Sequence, residues 1–215
     1  MDHGQVDTTI YSLNAEPPRQ PSAGADRRDS ERHLTLFRVG AMVIDGRREL
    51  CLIKNISAGG MMLRVYCTME EGVPVEVELK TGQPLLGRVS WVRDHQVGIA
   101  FAAPVDVIAI LASDEAGPRP RMPRIEVRTS AYVRDGASIF RLHCTDISQG
   151  GIKVDTPTTL IPDSDVVVTL PGLAPQAAVV RWATQSSAGI SFNTPLSLAE
   201  LVDWLRVQRD AARAA

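Results

Sequence analysis

Short polar side chains and a glycine occur at the same spacing in two segments of the chain. The segments are N-I-S-A-G-G, with Asn55, Ser57 and Gly60, and D-I-S-Q-G-G, with Asp146, Ser148 and Gly151. Their polar side chains can cap the local backbone or form hydrogen bonds with a bound molecule. The glycine allows a positive φ angle and the close approach of a ligand. The pattern indicates either a binding loop or an Asx-type turn between two strands, and it leaves both open.

Arginines precede the first segment at a fixed distance. Arg28 and Arg32 stand four residues apart, with Arg27 adjacent, in R-R-D-S-E-R. A guanidinium group can bond the O6 and N7 edge of guanine, pair with phosphate through two hydrogen bonds, and stack on a purine. Such a run alone is usually a solvated charged surface. In combination with the polar segment, the arginines favour a site for a guanine nucleotide.

The second segment has a weaker arginine pattern in front of it. Arg124 aligns with Arg32 after a one-residue gap, but Pro120 occupies the position of Arg28. Arg121 or Arg119 could substitute from one residue away, although a proline-flanked arm is stiffer. We therefore predict a second possible site made of Arg121, Arg124, Asp146, Ser148 and Gly151.

The similarity between the two halves extends well beyond these segments. Matching residues lie 91 positions apart throughout, in the pairs Trp91 and Trp182, Gly98 and Gly189, Phe101 and Phe192, and Pro104 and Pro195. A repeat of this length predicts duplication of a whole domain. We predict a disordered tail over residues 1–26, a first domain over 27–113, a linker over 114–118 and a second domain over 119–215.

The elements predicted in each half are mostly strands. Short apolar segments separated by turn residues predict about six strands per half, with hairpin turns at Asp45-Gly46 and Asp135-Gly136. After the last strands the apolar spacing becomes helical. Ser197 and Glu200 form a capping box that predicts a C-terminal helix from about Ser197 to Arg213. We expect Trp204, in this helix, to be a packing residue.

Composition and charge exclude several classes of function. A net charge of −2 and a pI near 6.1 argue against a DNA or RNA binder, which needs a basic surface. The N-terminus lacks the features of a signal peptide, and no apolar run is long enough to insert into a membrane. Cys51, Cys67 and Cys144 lie in or beside apolar segments and are expected to be buried thiols. We therefore expect a cytoplasmic protein.

Catalysis has little support in the sequence. The four histidines form no metal-ligand spacing, and the nucleophile-elbow and phosphate-loop motifs are absent. No general base, nucleophile or metal set can be named. We expect a chain that is not an enzyme and that has neither a metal nor a cofactor.

The arginines and the polar segment together resemble the PilZ domain, whose pattern is R-x-x-x-R followed by D/N-x-S-x-x-G. V-S-W with V-G-I-A-F, and V-R-W with A-G-I-S-F, are similar to the closing strands of that family. The resemblance covers about residues 27–113 and 119–213. It implies a mainly β fold of two tandem six-stranded antiparallel barrels, each followed by a helix.

PilZ domains are bacterial receptors for the second messenger cyclic di-GMP, and the resemblance implies that ligand here. It assigns ligand contacts to six residues of the first half: Arg27, Arg28, Arg32, Asn55, Ser57 and Gly60. We expect a receptor that changes conformation on binding and signals to an unidentified downstream protein. The alternative is a tandem-barrel adaptor that binds no nucleotide and serves in motility or polysaccharide pathways.

Overall fold

The structure is a computed structural model that describes residues 34–79, 84–112, 122–156 and 160–214. The predicted tail and linker lie outside these ranges, as do four of the predicted site residues: Arg27, Arg28, Arg32 and Arg121. Their predicted roles therefore remain predictions.

The first half of the chain forms a closed antiparallel barrel. Its strands are β1 (Leu34–Ile44), β2 (Arg47–Ser57), β3 (Gly60–Val65), β4 (Pro74–Glu78), β5 (Pro84–Arg93) and β6 (Gln96–Phe101). They are hydrogen-bonded in the order β1-β2-β3-β6-β5-β4, with β4 paired to β1. A short helix, α1 (Val107–Ala112), follows the barrel.

The second half repeats this arrangement. Its strands are β7 (Ile125–Asp135), β8 (Ser138–Ser148), β9 (Gly151–Asp155), β10 (Asp165–Thr169), β11 (Gln176–Ala183) and β12 (Ser187–Phe192). They also close into a six-stranded barrel, which is followed by α2 (Leu198–Ala214). The predicted fold of two tandem six-stranded barrels is therefore confirmed.

Each barrel is filled by apolar side chains from alternate positions of its strands, as the two-residue period of a strand requires. Cys51 and Cys144 are among these buried residues, and desolvation raises the pKa of each thiol to about 12. Cys67 is only half-buried, contrary to the prediction, but desolvation still raises its pKa to about 11. All three thiols are therefore protonated at neutral pH and poorly nucleophilic.

One of the two predicted hairpin turns is displaced by one residue. Asp45 and Gly46 are the central residues of the first turn, with φ angles of 47° and 72° that suit a type I′ hairpin. In the second hairpin Asp135 pairs with Ser138, so the central residues are Gly136 and Ala137 rather than Asp135 and Gly136. Only Gly136 has a positive φ there, at 56°, which is typical of a type II′ turn.

The C-terminal helix begins where the sequence predicts. The Ser197 hydroxyl accepts a hydrogen bond of 3.1 Å from the backbone N–H of Glu200 and caps the first turn. Leu201, Trp204 and Leu205 are buried along one face. The indole N–H of Trp204 donates to the Pro171 carbonyl at 2.8 Å, which confirms its predicted role in packing.

Helix α2 of the second half also contacts the first barrel. Leu50 of β2 is 3% exposed and belongs to the hydrophobic cluster of the second barrel. The Arg209 guanidinium donates a hydrogen bond of 2.6 Å to the carboxylate of Glu49, whose side chain is 9% exposed. The positions 91 residues later hold Phe140 and Arg141, so this contact surface is particular to the first barrel.

The repeated tryptophans cover the repeated glycines on the adjacent strand. Trp91 pairs with Gly98, and Trp182 pairs with Gly189. A Cβ atom added to Gly98 would lie 2.0 Å from the indole nitrogen of Trp91. The glycine is therefore needed because the indole ring occupies the space of a side chain.

We expect Gly98→Ala to lower the free energy of unfolding by about 1–3 kcal/mol, since the indole ring must move to admit a methyl group. Urea denaturation monitored by tryptophan fluorescence measures this loss. Gly59→Ala is the control, because a Cβ there meets nothing within 4 Å. Equal stability of the two variants would contradict the packing argument.

Arg209→Ala should cost about 1–3 kcal/mol, because it leaves the Glu49 carboxylate buried without its cation. The matched control is Arg206→Ala on the same helix, whose ion pair with Asp203 is 71% and 72% exposed. We expect that variant to change stability by less than about 0.5 kcal/mol. Similar urea midpoints for both variants would show that the Arg209–Glu49 contact does not stabilise the protein.

Candidate functional site

The two polar segments form the hairpins β2–β3 and β8–β9. Ser57 pairs with Gly60 across the first hairpin, and Ser148 pairs with Gly151 across the second. In each barrel a register shift lies just before the first polar residue of the segment, between Ile53 and Asn55 and between Cys144 and Asp146. β-Bulges of this kind redirect side chains and are common beside functional sites.

The serine of each segment bonds within its own hairpin. The Ser57 hydroxyl donates to the Gly60 carbonyl at 3.2 Å, and the Ser148 hydroxyl donates to the Gly151 carbonyl at 3.3 Å. Ser148 is buried at 4% exposure, whereas Ser57 is half-buried. Both serines therefore serve the turn, as the structural interpretation of the segment predicts.

The turn residues of each hairpin are held by the chain that follows the last strand. The carbonyls of Ala58 and Gly59 accept hydrogen bonds of 2.9 Å from the backbone N–H groups of Val105 and Phe101. The second hairpin has the same pair of bonds from Leu196 to Gln149, at 2.8 Å, and from Phe192 to Gly150, at 3.0 Å. These bonds fix the hairpin against the barrel.

The glycine at the end of each segment is required by a neighbouring strand. A Cβ atom on Gly60 would lie 2.3 Å from the Ile99 carbonyl oxygen, and one on Gly151 would lie 2.2 Å from that of Ile190. Gly151 has the expected positive φ, at 156°, but Gly60 does not. The prediction of a positive φ is thus wrong for Gly60, where close approach of β6 is the reason for glycine.

An arginine lies on the polar segment of the second barrel. Arg124 directly precedes β7, and its guanidinium donates a hydrogen bond of 2.8 Å to the Asp146 carboxylate, with the two side chains 42% and 18% exposed. Asn55 replaces Asp146 in the first barrel and, being uncharged, cannot neutralise an arginine in this way. The structure therefore brings together Arg124, Asp146, Ser148 and Gly151.

Two recesses border this cluster. A cavity of about 290 Å³ is lined by Arg124, Ser148, Gly151, Arg181 and Trp182. A larger cavity, of about 930 Å³, lies between β7, β8 and β9 of the second barrel and helix α2, and Asp146, Arg128, His143, Lys153, Leu205 and Arg209 line it. We call this larger recess the helix cavity.

Sequence reasoning missed the cationic residues of these recesses. Arg181 occupies the position that Ser90 has in the first half, and Lys153 occupies the position of Met62. These cationic residues could have been found in the sequence as positions at which the two copies differ. The prediction relied on what the copies share.

In the first barrel, Asn55 lies at the point where the chain enters β1. Thr35 pairs with Asn55, and Leu34 pairs with Ile56. Asn55 itself is half-buried. The chain that precedes Leu34 is therefore attached to a residue that pairs with the polar segment across the sheet.

Neither a metal site nor a membrane span is found in the described ranges. No group of three or more His, Cys, Asp or Glu side chains there could hold a metal ion. None of the described helices has the length and apolar character needed to cross a bilayer.

A family model for the PilZ domain matches residues 26–112 and, a second time, residues 118–206. The chain belongs to the PilZ domain family. The two PilZ domains correspond to the two closed barrels, so the resemblance predicted from the sequence is confirmed. No curated protein sequence matches the chain.

The chain is also similar to several solved structures, with which it shares little sequence. PlzA of Borreliella burgdorferi, solved with c-di-GMP, is 11% identical with a TM-score of 0.34, and the match covers 78% of this chain and 86% of PlzA. MotI of Bacillus subtilis, an inhibitor of motility, is 14% identical with a TM-score of 0.34, over 82% of this chain and 99% of MotI. YcgR of Escherichia coli, solved with c-di-GMP, is 12% identical with a TM-score of 0.33, over 82% of this chain and 86% of YcgR.

The two serines allow a test of the hairpin contacts. Ser148→Ala is expected to lower the free energy of unfolding by up to about 1 kcal/mol, because it removes a hydrogen bond in a buried position. Ser57→Ala should cost less, since water can reach the half-buried Gly60 carbonyl. Urea denaturation of the two variants compares these losses directly. A larger loss for Ser57→Ala would show that burial does not set the cost.

Proposed function

We propose that this tandem PilZ protein is a cyclic di-GMP receptor that changes conformation on binding and signals to a protein partner. The observation that carries the proposal is the cluster in the second barrel, where an arginine and the residues of the D-x-S-x-x-G segment meet on one surface. The first barrel holds its own segment in a hairpin with the same hydrogen bonds.

The ligand chemistry matches these residue types. Cyclic di-GMP has two phosphates and two guanines, and guanidinium groups can bind both kinds of group. Asn55 and Ser57 would contact one guanine and the neighbouring phosphate, and Gly60 would leave the backbone open to the ligand. Arg27, Arg28 and Arg32 would supply the cations of the first site.

Covalent geometry keeps the first-site arginines within reach of the polar segment. Arg32 precedes Leu34 by two residues, and Arg28 precedes Leu34 by six. Fully extended chains of these lengths span at most about 7 Å and 22 Å, respectively. Leu34 itself pairs with Ile56, next to Asn55. An arm that closes over a dianionic ligand would convert binding into a change of surface that a partner can recognise.

An adaptor that binds no nucleotide is the second candidate, and one contact favours it for the second domain. The guanidinium of Arg124 is already paired with Asp146, and Pro120 replaces the other expected arginine. The thermal unfolding temperature in millimolar cyclic di-GMP separates the candidates. A receptor at 100 times its Kd gains about 2.7 kcal/mol of stability, whereas the adaptor gains none.

Arg28→Ala and Arg32→Ala test the arm of the first site by isothermal titration calorimetry. Each charge-assisted hydrogen bond contributes about 1.5–3 kcal/mol. Loss of several such bonds should reduce a micromolar complex to nearly undetectable heat. Arg19→Ala is the control, because it removes one positive charge from the same N-terminal stretch outside the R-x-x-x-R pattern. Unchanged affinity in both arm variants would refute the role of the arm.

A further inference from the structure

The helix cavity carries polar side chains that the fold itself does not require. Arg128, His143 and Lys153 all project into it from the outer wall of the second barrel. The first barrel has apolar residues at the same three strand positions, 91 residues earlier: Phe37, Leu52 and Met62. Since the same fold accepts apolar residues there, the polar side chains of the second barrel need another explanation.

Two of these residues are cations, and neither has a carboxylate partner within the described ranges. Arg128 and Lys153 take part in none of the ion pairs found there. The carboxylate of Asp146, which also lines the cavity, is held by Arg124. Glu126 is the other acidic residue of the lining. The cavity wall therefore offers cationic donors to an anion from solution.

Helix α2 adds a third cation and an apolar wall. Arg209 lines the cavity while its guanidinium bonds Glu49 of the first barrel. Leu205, also in α2, is buried at 4% exposure, and Val127 of β7, which also lines the cavity, is half-buried. At about 930 Å³, the cavity matches the upper range of small-molecule sites, which is about 1,000 Å³.

We propose that the helix cavity is the phosphate-binding part of the ligand site in the second PilZ domain. Arg128 and Lys153 replace the arginine that Pro120 removes from the second arm, while Arg209 stays paired with Glu49 at the edge of the cavity. The half-buried side chain of Val127 offers an apolar surface to the face of a guanine ring. This inference rests on the proposed function in taking cyclic di-GMP as the ligand. It assigns the binding charges to the barrel wall rather than to the arm alone.

The test uses a substitution that the first barrel already contains. Lys153→Met places in β9 the residue found at the equivalent position of β3, so the strand is expected to fold. Calorimetric titration of the full chain with cyclic di-GMP should show two sites in the wild type. In the variant, the second site should weaken by about tenfold or more while the first is unchanged.

Arg134→Val is the matched control. It removes a cation from β7 outside the helix cavity and introduces the residue of the first barrel at that position, Val43. We expect it to leave both sites intact. Urea denaturation of both variants verifies that they are folded. If Lys153→Met leaves the stoichiometry and both affinities at the wild-type values, the inference is overturned.

Thermal unfolding in inorganic pyrophosphate distinguishes a failure of this inference from a failure of the proposed function. If the wild type binds no cyclic di-GMP, the proposed receptor function fails, but a cationic cavity should still bind pyrophosphate at low salt. The unfolding temperature should then rise with pyrophosphate in the wild type and in Arg134→Val, and rise less in Lys153→Met. No rise in the wild type, or an equal rise in all three proteins, would overturn the inference.

Discussion

Close contact between a glycine and the backbone of a neighbouring strand determines the shape of both candidate sites. Gly60 lies against the Ile99 carbonyl, and Gly151 lies against that of Ile190. Because glycine has no side chain, the hairpin can lie close against the barrel. Its turn carbonyls can then accept hydrogen bonds from the chain after the last strand. The polar residue after the β-bulge, Asn55 in the first barrel and Asp146 in the second, then lies on the outer surface of the barrel. An arginine can reach it there, as Arg124 reaches Asp146.

Much of the fold could be predicted because its signals are local and occur twice. Alternating apolar residues gave the strands, and Ser197 with Glu200 gave the start of α2. The predicted position of the second hairpin turn is wrong by one residue. An Asp-Gly pair is typical of the centre of a turn, but the strand register places Asp135 in β7. A register is set by pairing across the sheet, and a short turn sequence does not determine it.

The candidate site was predicted only in part. Asp146, Ser148 and Gly151 were found from the repeat, and the structure places them together with Arg124. The sequence does not distinguish the structural role of the two serines from ligand binding, because a hydroxyl that closes a turn and one that binds a ligand have the same sequence signature. The residues of α2 that line the helix cavity were missed, because Arg209 and Asp146 come to line the same cavity only through the packing of a helix against a barrel wall. Such contacts between distant segments have no local pattern.

The burial of Leu50 in the hydrophobic cluster of the second barrel has a consequence for how the duplicated domains behave. After a duplication, each copy could in principle remain a separate folding unit connected by a tether. Here an apolar side chain and a nearly buried carboxylate of one copy are covered by the terminal helix of the other. Cutting the chain between the copies would expose both groups to water. The two copies therefore share one hydrophobic cluster, and the terminal helix of the second copy covers part of β2 in the first.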